Sequence, residues 1–177
     1  MVEAIMTMTS DQVFAIATVM VVIALVLSIG AALFDFREHG DTLGVSALLA
    51  LILQISMIVR AHPSDPHGYG TMIVFPLVDL AALCVVSYLF ATRPRVWKAV
   101  VAFAFLAQLV AHFGFWSALN SGKDSYSVYV LIGNLLAGLQ KLALGIAGAH
   151  GLAIGLSAWL SRHRYAGVRA VLREPHQ

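Results

Sequence analysis

Of the 177 residues, 60% are hydrophobic and 11% charged, and mean hydropathy is +0.86, whereas a soluble domain has about a quarter of its residues charged. This composition excludes a water-soluble enzyme, and a net charge of only +2 excludes electrostatic nucleic-acid binding, which needs a large basic surplus. One cysteine, Cys84, permits neither an intramolecular disulfide nor a cysteine metal cluster.

A helix needs about 20 apolar residues to cross roughly 30 Å of hydrocarbon, so the chain has room for five spans and short loops. Residues 1–11 contain Glu3 and Asp11 without Lys or Arg, and Thr9-Ser10-Asp11 offers an N-cap to the helix that follows. The first apolar run, 12–34, is too long and lacks the basic flank of a signal peptide, so it is expected to remain as a span. The connection 35–41 is charged and contains Gly40, which suits a turn. Its Asp, Glu and His read as solvated loop residues rather than metal ligands. Span two, 43–59, carries Gln54 toward its far end. Residues 61–70 hold two prolines and two glycines and are expected to be irregular. His62, Asp65 and His67 in that loop are weak candidates for a transition-metal site, because His and Asp are also ordinary loop residues.

Span three, 71–91, contains Pro76, which is expected to bend the helix one turn before Asp79. A basic turn with Arg93, Arg95 and Lys98 leads into span four, 97–119, where Trp97 and Trp116 suit the two interfaces. The last apolar region, 128–160, exceeds one crossing and is interrupted by Asn134, Gln140, Lys141 and His150. With no proline or turn dipeptide it reads as one long helix, the alternative being a re-entrant piece, 128–139, followed by a span, 142–160. Gly148, Gly151 and Gly155 mark a face for close helix packing. Residues 161–177 form a basic tail, with Tyr165, Val168 and Leu172 at helical spacing. It suits either an amphipathic segment on an anionic leaflet or a solvated end.

The expected fold is all-α: a polytopic membrane bundle of five transmembrane helices over residues 1–160, followed by the tail. Cytoplasmic loops near span ends are enriched in Lys and Arg. Five spans place Arg37, Arg93, Arg95, Lys98, Arg162, Arg164, Arg169 and Arg173 on one side and only Arg60 and Lys123 on the other. The N-terminus is therefore expected outside and the C-terminus in the cytoplasm, in a bacterial inner (plasma) membrane.

Ionisable groups within spans usually face a partner or a cavity. Counting residues from the outer face places Asp79, Gln108 and His112 at neighbouring depths, with Gln54 near them. Lys141 is the only other fully charged side chain more than two residues inside a span. It is expected to pair with Asp79, with Asn134 on the same stripe of the last helix. Such a layer suits a non-catalytic subunit or helper of a larger membrane assembly, with a protein partner or a second copy beside the lipid. It also suits a carrier or channel for a proton, ion or small solute. A third reading is haem or chlorin ligation by His112, which stands among Phe103, Phe105, Phe113, Phe115 and Trp116; no cofactor is required by the sequence. No nucleophile or metalloprotease arrangement appears in the spans, so an enzyme is the least supported class.

Overall fold

Five helices account for the regular structure of this computed structural model over its described residues, 10–60, 73–121 and 126–171. They are α1 (Ser10–Phe34), α2 (Phe36–Arg60), α3 (Phe75–Thr92), α4 (Val96–Asn120) and α5 (Tyr126–Val171). All five are long and apolar enough to cross a membrane, and no strand occurs among the described residues.

Two local expectations change. The turn expected over 35–41 shrinks to Asp35, because this residue caps α2. Its Oδ1 accepts from the Glu38 N–H at 3.1 Å, satisfying a donor that a helix start leaves open, while its carbonyl accepts the first bond of the helix from the His39 N–H at 3.0 Å. Helix α2 therefore begins seven residues before the expected position 43. Pro76 begins α3 rather than bending it, standing in the first turn after a π-type turn at Ile73 and Val74; a missing N–H costs nothing there. Helix α5 runs unbroken for 46 residues, so the single-helix reading holds over the re-entrant one. It continues through position 160, where the tail was expected to begin.

Apolar side chains line both the inside and the outside of the bundle. Ala24, Val45, Leu49, Ala82, Val86, Val101, Phe105 and Leu144 form the core, while Val26, Leu33, Ile58, Phe103, Val110 and Ile146 point outward, the distribution a lipid-facing surface requires. Consecutive helices pack against one another, and α1 shares its most extensive interface with α5. A Cβ placed on Gly148 would meet Leu27 Cβ at 3.0 Å, one on Gly151 would meet Ala31 Cβ at 3.0 Å and the His39 ring at 2.7 Å, and one on Gly155 would meet Phe34 Cβ at 2.6 Å. Contacts that climb both helices in the same direction make α1 and α5 parallel. This close approach of backbones is what small residues permit within membranes. Between α1 and α2, the buried Ser28 Oγ donates to the Ala24 carbonyl at 2.7 Å. Its single proton is then committed, so Ser46 donates to Ser28 across 2.9 Å.

One end of the bundle is held by Lys98, which is 1% exposed. Its Nζ donates to Asp41 Oδ2 at 2.6 Å, Leu89 O at 2.8 Å and Arg93 O at 2.8 Å, using all three protons of an ammonium. The two carbonyls close the C-terminal end of α3, where the helix dipole favours a cation. Arg95 pairs with Glu38, and Arg93 Nη1 donates to the Arg37 carbonyl. The α1–α2 and α3–α4 turns thus share one end.

Gly155→Ala is expected to lower stability by about 1–3 kcal/mol through overpacking, whereas Gly145→Ala, which meets nothing within 4 Å, leaves it unchanged or slightly raised. Thermal melting in detergent compares the two. Lys98→Met strands Asp41 and two carbonyls and is expected to cost about 3 kcal/mol. Asp41→Asn, which keeps an acceptor oxygen, costs less in the same assay.

Candidate functional site

Toward the other end, a chain of hydrogen bonds joins three helices. Asp79 of α3 and His112 of α4 are both buried, with His112 Nε2 3.0 Å from Asp79 Oδ2. Tyr129 of α5 places its hydroxyl 2.7 Å from His112 Nδ1. Phe115 stacks on the Tyr129 ring at 4.4 Å between centroids and 14° between planes, fixing the phenol's direction. In a neutral imidazole, Nε2–H donates to the carboxylate and the Tyr129 hydroxyl donates to Nδ1. Protonation makes Nδ1 a second donor and the phenol oxygen its acceptor. The chain is complete in either state.

One turn along α4, Gln140 Nε2 donates to Gln108 Oε1 at 2.7 Å. Helical periodicity explains the pairing: Gln108 and His112 are four apart and share the face turned to α5.

The residues singled out in the sequence divide accordingly. Asp79 and His112 are brought together, with Gln108 one turn along α4 in its own pair with Gln140, and Asp79 takes the His112 imidazole as its hydrogen-bond partner instead of Lys141, which belongs to neither Lys/Arg ion pair among the described residues, Arg95–Glu38 or Lys98–Asp41. Lys141 and Asn134 are half-buried on α5 and join neither group. Gln54 and His150 are exposed. His62, Asp65 and His67 lie outside the described residues, and no group of three or more potential metal ligands occurs among those described. Tyr129 and Gln140 complete the site without having been selected by sequence. Gln140 interrupts an apolar run and carries a readable signal; Tyr129 lies close to a loop, where a tyrosine is unremarkable.

Beside this chain, a cavity of about 290 Å³ lies between α3 and α4, walled by Pro76, Leu77, Leu80, Phe113 and Trp116, with His112 at one edge. Leu77, Leu80, Phe113 and Trp116 are exposed, so the cavity faces the surroundings of the bundle. Its chemistry suits an apolar group. Axial ligation of haem or chlorin needs a free ring nitrogen, and both nitrogens of His112 are engaged, so the arrangement does not fit that role without losing Asp79 or Tyr129. Compared with known protein families, curated proteins and solved structures, the chain matches none.

His112→Leu leaves a carboxylate buried without a partner and is expected to destabilise by about 3–5 kcal/mol, while Tyr129→Phe, which keeps the stacking, costs about 1 kcal/mol. The double variant Asp79→Leu/His112→Leu is expected to recover much of the loss. A double-mutant cycle on melting in detergent measures the coupling.

Proposed function

We propose that this protein is a non-catalytic helical subunit or helper of a larger membrane assembly, with its buried polar chain fixing which helices meet. The observation that carries this reading is that both ring nitrogens of His112 are taken by side chains from neighbouring helices. Such an arrangement has its value in helix selection, an attested use of buried polar groups. An N-terminus outside and a C-terminus in the cytoplasm of a bacterial inner membrane complete the proposal. What supports that orientation is the cation excess, with Arg37, Arg93, Arg95 and Lys98 near one end. Lipid contacts the apolar outer faces, and a partner protein or second copy covers part of them.

A second reading is favoured by one feature of the same chain. An imidazole between a carboxylate and a phenol relays a proton when its two bonds exchange direction, which suits a proton carrier.

In native membranes, the tagged protein is expected to migrate on blue-native gels well above its own 19.0 kDa. Migration as the single chain removes the subunit reading. In liposomes under a pH gradient, the purified protein is expected to conduct no more protons than empty vesicles. Flux that Asp79→Asn abolishes while folding is kept transfers the assignment to proton movement.

A further inference from the structure

Among the described residues, Lys141 is a cation deep within a span that takes part in no ion pair. It follows Gln140, whose bond to Gln108 ties this level of α5 to the middle of α4 (Val96–Asn120). Gln108 is 12 residues from either end of that helix, about 18 Å by helical rise. A lysine side chain of roughly 6 Å does not span that distance to a lipid headgroup, and side chains lean toward the N-terminus of their own helix, here away from the Lys98 end. Lys141 is half-buried, and it belongs to none of the ion pairs among the described residues. The flank it occupies is open: a Cβ on Gly138 or on Gly145 meets nothing within 4 Å, and Asn134 lies on the same side by helical spacing.

We infer that Lys141 is the docking point for a membrane-spanning helix of another protein that carries an Asp or Glu near its middle. This rests on the subunit reading above and names the partner's chemistry. An isolated charge at mid-membrane is costly, and a carboxylate at the same depth removes the cost. A second copy does not supply that group. Its Asp79 is buried against its own His112, its Asp35, Glu38 and Asp41 lie near the Lys98 end, and its Asp11, by the contact of Leu27 with Gly148, stands nine residues toward the opposite end from the level of Lys141. On α5, the Lys98 end is marked by Gly151 against His39, ten residues beyond Lys141, or about 15 Å by helical rise. Among the described residues, a copy inserted in the same direction therefore presents Lys141 to no accessible acid at its own level.

The test uses the full chain in phosphatidylcholine vesicles with Leu-rich single-span peptides bearing Glu, Gln or Lys at the centre, association being read by energy transfer. The Glu peptide is expected to associate at least about ten-fold more tightly than the Gln peptide, a difference near 1.4 kcal/mol. That preference is lost in Lys141→Leu, kept in Lys141→Arg and turned toward the Lys peptide in Lys141→Glu. Lys141→Leu is expected to melt no lower than wild type, since it removes an unpaired charge. Equal binding of Glu and Gln peptides, or a preference undiminished in Lys141→Leu, overturns the inference. In native membranes, an assembly that survives Lys141→Leu overturns the carboxylate partner but leaves the subunit reading standing. A chain that runs alone removes the subunit reading, while the peptide comparison still decides whether Lys141 selects an acid.

Discussion

Hydrocarbon supplies no hydrogen bonds, and five helices apolar enough to cross a membrane have to answer their buried polar groups from within the bundle. Each polar group carried inward meets a partner on another helix wherever the fold provides one, and each such meeting specifies neighbours. Ser28 with Ser46 joins α1 to α2. Lys98 gathers α2, α3 and α4. Asp79, His112 and Tyr129 join α3, α4 and α5, and Gln108 with Gln140 adds a second α4–α5 link, about one turn away along α4 and about three along α5. Apolar surfaces gain little by leaving lipid for one another, so packing fit and these bonds decide the arrangement.

Lys98, buried, and Lys141, half-buried, illustrate two outcomes open to a cation carried by an apolar helix. Both are ammonium groups on long flexible stems, yet one has three oxygen acceptors within 2.8 Å and the other has an open flank. The difference lies in the backbone. Lys98 stands just after the end of α3, where helix geometry exposes carbonyl oxygens. Lys141 stands within a continuous helix whose own carbonyls are already accepting, so only a side chain from elsewhere can answer it.

Spans, helix class and the shared end of Arg37, Arg93, Arg95 and Lys98 were legible because hydrophobic run length and cation spacing are one-dimensional signals. The partners of the polar residues were less so. Depth counting brought Asp79, His112 and Gln108 to neighbouring levels, but it carries no angle about the bundle axis. The charges of Asp79 and Lys141 attract on paper, while the fold turns Asp79 toward the imidazole. The α2 start was missed because a charged cluster reads as a loop, although Asp35 followed three residues later by Glu38 is also a helix-capping pattern.

The parallel contact between α1 and α5 has a consequence for biogenesis. The surface that receives Gly148, Gly151 and Gly155 is displayed on α1 as soon as that helix has formed, whereas the glycines arrive only after α2, α3 and α4 have been synthesised. Until then, the face of α1 that receives them is uncovered. Closure of the bundle therefore joins the first and last helices of the chain, a long-range contact that waits for α5.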